Sequence, residues 1–159
     1  MKKILLNAVR KTKNYKKYSA LIDHEDFERV KQHNWCVLKG KNVNYAIGWV
    51  NGKHILLHNF IMGFKGIDHK NHNGLDNRRA NLRKATKSEN EMNKTPRRGC
   101  SSKYKGVSFS KGEQKWHAYI NYGNKRYNLG YFNNETDGAQ AYNRMATKLH
   151  GEFAYLNKI

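Results

Sequence analysis

One short stretch governs what this chain can fold into. Lys94-Thr95-Pro96-Arg97-Arg98-Gly99-Cys100-Ser101-Ser102 holds the only proline of the 159 residues, together with a glycine and two serines. It has no apolar periodicity, which is the composition of a linker. It separates residues 1–93 from residues 103–159. Hydrophobic residues make up only 38% of the chain, so two small cores are expected rather than one large one. With 10 Tyr and 3 Trp, the pieces read as folded, not disordered.

Charge limits the partners. Lys and Arg number 31 against 12 Asp and Glu, a formal net charge of +19. The excess is present in residues 1–93, in the linker and in residues 103–159, so it is not one detachable basic tail. Beyond mere solubility, such a surface points to a polyanion, because each Lys or Arg placed on a phosphate releases condensed counterions. Arg97 and Arg98 suit a linker lying along a DNA backbone. Cys36 and Cys100 form no CxxC pair and no disulfide framework, which reads as cytoplasmic. The apolar run Ile4-Leu5-Leu6 is ended by Asn7 and Arg10, so neither export nor a membrane partner is expected.

The N-terminal part reads as a small mixed unit. Asp23-His24-Glu25-Asp26 opens a helix with acids in its first turn, and Phe27 and Val30 share a face. Trp35 to Leu38 reads as a strand. Tyr45, Ile47 and Trp49 alternate, Asn51-Gly52 makes a tight turn, and Ile55 and Leu57 resume, which is a β-hairpin signal. His58 to Met62 reads as a short helix closed by Gly63. Beyond the linker, Tyr104 to Phe109 is a short strand. Lys115 to Tyr122 alternates, with Trp116, Ala118 and Ile120 on one face and Lys115, His117, Tyr119 and Asn121 on the other. Arg126 to Phe132 alternates again, placing Tyr127, Leu129 and Tyr131 opposite Arg126 and Asn128. A helix starting at Asn134 aligns Ala139, Tyr142, Met145, Ala146 and Leu149 and ends at Gly151. The fold class is therefore α+β, and its C-terminal part is a three-stranded antiparallel sheet packed on one helix, with a polar face left open.

Residues 66–93 hold the densest set of reactive side chains. Ile67 ends a strand carrying Asp68 and His69, and an Asn- and Gly-rich loop follows. Leu82-Arg83-Lys84-Ala85 is a second strand, and Thr86-Lys87-Ser88-Glu89 has the form of a capping box at a helix start. Strand, loop, strand and helix can bring Asp68 and Asn90 together beside His69. Phosphodiester hydrolysis needs an activated water, a cation and a holder for the base. His69 can accept a proton near neutral pH, and Asp68 and Asn90 offer oxygens to Mg²⁺ or Mn²⁺. Asn81 can fix the imidazole tautomer through a side-chain hydrogen bond. Asn71, Asn73 and Asn77 read as turn formers, and Asp68 has the simpler reading of an arginine partner. His54 and His58 have the spacing of two ligands on one helix, but there is no glutamate at 55 and no cysteine pair nearby, so no structural zinc is expected. Packing or phosphate contact suits His58 better, and His72 reads as a loop residue.

This stretch resembles the HNH endonucleases of phages and mobile introns. The Asp68-His69 pair, the run Asn77-Arg78-Arg79-Ala80-Asn81-Leu82-Arg83 and the closing Ser88-Glu89-Asn90 carry the likeness, which extends over roughly residues 5–95. The resemblance implies an HNH endonuclease domain over residues 1–93, made of a ββα-metal core motif at residues 66–93 and an N-terminal antiparallel hairpin region. His69 would be its general base, Asn81 the orienter of that base, and Asp68 with Asn90 the metal ligands. Hydrolysis would leave a 5′-phosphate and a 3′-hydroxyl.

Residues 103–159 resemble the ethylene-response-factor (Apetala-two type) DNA-binding domain. Tyr104-Lys105-Gly106-Val107, Trp116 to Ile120, Tyr127 to Phe132, the helix with Ala139, Ala141 and Tyr142, and the end from Gly151 to Asn157 carry that likeness. It implies a sheet entering the DNA major groove. Lys105 and Arg126 would stand at DNA-contacting positions. His117, Tyr119, Asn121 and Asn128 share the open face. The expectation is a site-directed homing endonuclease of a phage or mobile element, acting on double-stranded DNA as a monomer or homodimer. A non-catalytic DNA-binding regulator with a decayed nuclease fold, and a basic RNA-binding protein, are the rivals.

Overall fold

The computed structural model describes residues 1–7, 18–96 and 99–159. It divides into two compact units, Met1–Thr86 and Lys87–Ile159. Among the described residues no helix is long and apolar enough to cross a membrane.

In the first unit, β1 (Lys2–Leu6) pairs antiparallel with β2 (Tyr18–Ile22). The apolar run at the start of the chain is thus a strand, with Leu6 buried beside Ala20 and Ile22. The short helix α1 (Phe27–Val30) follows the acidic turn. Three antiparallel strands come next, β3 (Trp35–Leu38), β4 (Tyr45–Val50) and β5 (Lys53–Leu56), in that order across the sheet. Asn51 and Gly52 both take positive φ, 49° and 74°, as a two-residue hairpin turn of this hand requires. Helix α2 (Leu57–Met62) ends at Gly63, whose N–H donates to the Asn59 carbonyl. Strand β6 (Ile67–His69) pairs antiparallel with β7 (Leu82–Lys84). One core of Leu6, Ile22, Val30, Trp35, Leu57 and Ile61 unites these small elements. The Trp35 indole N–H donates to the Val30 carbonyl, so a large apolar ring is buried with its polar atom satisfied.

The second unit opens with α3 (Lys87–Asn93). The compactness boundary at Thr86 thus lies one helix ahead of the composition boundary at 93. Strands β8 (Val107–Ser110), β9 (Lys115–Tyr122) and β10 (Lys125–Phe132) form an antiparallel sheet in the order β10-β9-β8. Helix α4 (Glu135–His150) covers one face and buries Ala139, Tyr142 and Ala146. Ala118 and Ile120 of β9 are buried and Trp116 packs against Tyr104, Val107 and Ala139, which is the inward face that alternation predicts. Gly106 precedes the sheet at φ 73°, and a Cβ there would stand 2.1 Å from the Tyr142 ring and 2.5 Å from the Tyr119 carbonyl. Only glycine fits.

Strand β10 corrects the simple alternation. Asn128 pairs with Tyr119 and Gly130 with Ala118, so Leu129 is an extra residue, a β-bulge. The Asn128 side-chain carbonyl accepts from the Gly130 N–H and braces the kink. Beyond it the faces exchange, and Tyr131 lies opposite His117 on the open face instead of sharing the side of Tyr127.

Candidate active site

The β6–β7 ladder sets Asp68 directly across from Arg83 and His69 across from Leu82. Asp68 and His69 are both nearly buried, at 6% and 5% exposure. The Arg83 guanidinium donates to Asp68 Oδ2 through Nη2 at 2.8 Å and Nε at 3.0 Å. The arginine-partner reading of Asp68 therefore describes one of its roles here.

His69 packs among rings. Its centroid lies 4.9 Å from that of His58, edge to face, and 5.8 Å from that of Tyr45. Burial lowers the His69 pKa, opposed by Asn77, Asp68 and Asp76. His58 is 5% exposed and its Nδ1 has no partner. Burial, then the neighbouring His69, pull its pKa down to about 3. Both rings are therefore held toward the neutral form, and a neutral imidazole is what a general base requires.

The loop between the strands is fixed mainly by its own side chains. Asn71 and Asn73 accept from the backbone N–H groups of Asn73 and Leu75, as turn-forming asparagines do. Asp76, 2% exposed, accepts from Arg78 Nε at 2.7 Å, Arg78 Nη2 at 2.6 Å and Asn71 Nδ2 at 2.8 Å. Arg79 is drawn to Asp26 at 2.9 and 2.7 Å. Gly74 lies so close to Tyr45 that a Cβ would stand 2.6 Å from its ring.

The expected side-chain bond from Asn81 to the imidazole is not made. Asn81 Oδ1 accepts from the Asn71 N–H at 3.0 Å and Nδ2 donates to the Asp76 carbonyl at 2.8 Å, so it locks the loop that leaves His69. Asn77 Oδ1 is the atom facing the ring, 3.4 Å from His69 Nε2. Asn77 is fully buried, with its Nδ2 unpartnered. His72 lies in the loop at φ 62°.

An HNH endonuclease family model matches residues 65–92, the segment that contains this ladder and loop. The chain is also 33% identical over 150 residues to an uncharacterized HNH endonuclease of Acanthamoeba polyphaga mimivirus, covering 88% of this chain and 75% of the relative. The chain belongs to the HNH endonuclease family. No solved structure matches it significantly.

Within this HNH family member, Asn90 stands exposed on α3, in the second unit. Among the described residues no three His, Cys, Asp or Glu side chains converge as a metal cage. The open face of the C-terminal sheet is organised by contacts among its own side chains. The Arg126 guanidinium carbon lies 4.4 Å over the Tyr119 ring, and its Nε donates to Asn121 Oδ1 at 3.2 Å. His117 stacks on Tyr131 at 4.8 Å and stands 3.1 Å from Asn128 Oδ1. Lys105 is not on that face, because its ammonium is bound to carbonyls at the end of α3. Arg97 and Arg98 lie outside the described residues.

Residue reading alone missed Tyr45, Asp76 and Asn77 as parts of this site, and it gave His58 a packing or phosphate role without naming His69 as the ring it packs on. Asp76-Asn77-Arg78 does carry a signal, an acid beside two donors in a loop that must fold on itself. Tyr45 and His58 carry none, since they come from a different strand and helix.

Proposed function

We propose that the protein is a site-directed endonuclease that hydrolyses phosphodiester bonds of double-stranded DNA, with His69 as the general base. The observation that carries this reading is the buried Asp68-His69 pair at a strand end, its imidazole held neutral and its following loop pinned by Asn81 and Asp76. Asn77 Oδ1 faces Nε2 and so favours the tautomer with the proton on Nε2. As general base, His69 takes the proton of the attacking water. Asn77 and Asn81 act as positioning residues, one on the ring and one on the loop.

Asp68 and Asn90 are the residues that would hold Mg²⁺ or Mn²⁺. Their donors suit a hard ion, which needs only one or two protein ligands and keeps several waters. Asp68 is also ion-paired with Arg83, and an ionised carboxylate, with about four lone-pair sites, can serve a cation and an arginine together. When bound, the cation would supply positive charge to the phosphate and the leaving oxygen.

The C-terminal unit is read as the targeting domain, of the ethylene-response-factor (Apetala-two) type. Its sheet would enter the major groove and present Arg126, Tyr119, Asn121, His117 and Asn128. A three-stranded sheet on one helix, with its polar face braced by hydrogen bonds and stacked rings, supports this. A relative encoded by a virus is in keeping with a setting in a phage or mobile element, where the role proposed here is homing.

A second reading, a non-catalytic DNA-binding regulator, is favoured by the Arg83–Asp68 ion pair. A plasmid assay decides between them. The nuclease reading expects conversion of supercoiled DNA with Mg²⁺ or Mn²⁺, none in EDTA, and none with His69→Ala. DNA binding without cleavage under every metal condition would favour the regulator.

A further inference from the structure

Lys105 is one residue from the start of the sheet unit's glycine corner, yet its charge is spent on the nuclease motif's last helix. Its Nζ donates to the carbonyls of Glu91 at 3.0 Å, Met92 at 2.6 Å and Lys94 at 2.8 Å. They lie at the C-terminal end of the helix, where intrahelical partners run out, although the Glu91 carbonyl also accepts from the Lys94 N–H at 3.3 Å. An ammonium has three donors, and all three are matched. The cation also sits at the negative end of the helix dipole.

The lysine backbone is itself clamped. Asn157 Oδ1 accepts from the Lys105 N–H at 2.8 Å, and Asn157 Nδ2 donates to the Lys105 carbonyl at 3.0 Å. The Tyr155 ring lies 5.6 Å from Nζ. A lysine meant for phosphate keeps its head in water, whereas burial pulls the pKa of this one down to about 8. Helix α3 has only seven residues. So short a helix is marginal by itself and takes its shape from what holds it.

We propose that Lys105 is a positioning residue for α3 and, through that helix, for Asn90. The proposal rests on the reading of Asn90 as a metal ligand. Asn90 precedes the first clamped carbonyl by one residue, so fraying of the last turn redirects its side chain. The C-terminal unit then has two duties, holding DNA on its sheet and holding the final helix of the catalytic motif.

The test uses the full chain carrying Lys105→Met or Lys105→Arg, with three readouts. Amide hydrogen exchange in Lys105→Met is expected to accelerate at residues 90–95 and to stay slow in β9 and α4. The Mn²⁺ concentration for half-maximal cleavage is expected to rise about tenfold or more, the usual effect of removing a group that orients a ligand. Duplex affinity in EDTA is expected to change less than about threefold, because no phosphate contact is lost. Lys105→Arg, which keeps charge and donors, should recover most of the metal dependence. Weakened EDTA binding with unchanged exchange would make Lys105 a phosphate contact and overturn the proposal. Faster exchange with unchanged metal dependence would break the link to Asn90. If Lys105→Met does not fold, Lys105→Gln, with two amide donors, takes its place under the same criteria. Absence of cleavage by the wild type would instead remove the nuclease reading, while the exchange data would still decide whether Lys105 seats α3.

Discussion

His58 and His69 meet edge to face, and burial presses both toward neutrality. This has a consequence for acid stability. In the unfolded chain each ring takes up a proton near the ordinary 6.5, whereas folded His58 takes none until about 3. Between those values the unfolded state binds more protons, so stability rises with pH across the window and is lost as pH falls through it. The melting temperature is expected to drop from about pH 7 to about pH 4, and His58→Phe should flatten that drop by one proton's share. An identical slope in His58→Phe would show that the ring is not carrying the effect. At this scale the site was partly legible. Asp68, His69 and Asn81 are neighbours along one ladder and loop, so their roles follow local spacing. His58 reaches His69 only through the packing of α2 on the core, and no spacing within the motif encodes that.

The elements show where pattern reading works and where it stops. Strand β9 alternates as its residues predict because every second side chain meets α4. Strand β10 departs at Leu129, since a bulge adds a residue without changing the apolar count, and only pairing reveals it. The result is a ring stack on the open face, with Tyr131 moved beside His117. Strand β1 was hidden for a related reason: its burial depends on a partner strand, β2, that the sequence pattern did not announce. Gly106 is the element-scale feature most open to test. Ala at this position meets both the positive φ and the Tyr142 ring. Gly106→Ala should cost the C-terminal unit about 3 kcal/mol or more, read by denaturant unfolding. A loss under about 1 kcal/mol would mean that Tyr142 and the strand yield easily.

Across the whole molecule, a net charge of +19 spread over both units sets the terms of DNA binding. Affinity for non-specific duplex is expected to fall about a hundredfold or more between about 50 and 200 mM salt, as counterions cease to be released. Fluorescence anisotropy measures it, and a flat salt dependence would deny a phosphate-dominated interface. Linker composition predicts a division at 94–102, whereas compactness divides the chain between Thr86 and Lys87, with separate small cores on either side. The grouping of α3 with the second unit was not legible, because it rests on tertiary contacts, among them the Lys105 ammonium on three carbonyls. The central claim is that His69 removes the proton from water. Single-turnover cleavage of a duplex carrying a mapped site, at saturating enzyme with Mg²⁺, tests it directly. The account predicts a rate for His69→Ala about a hundredfold or more below wild type with duplex affinity unchanged, and equal rates for the two proteins would contradict it.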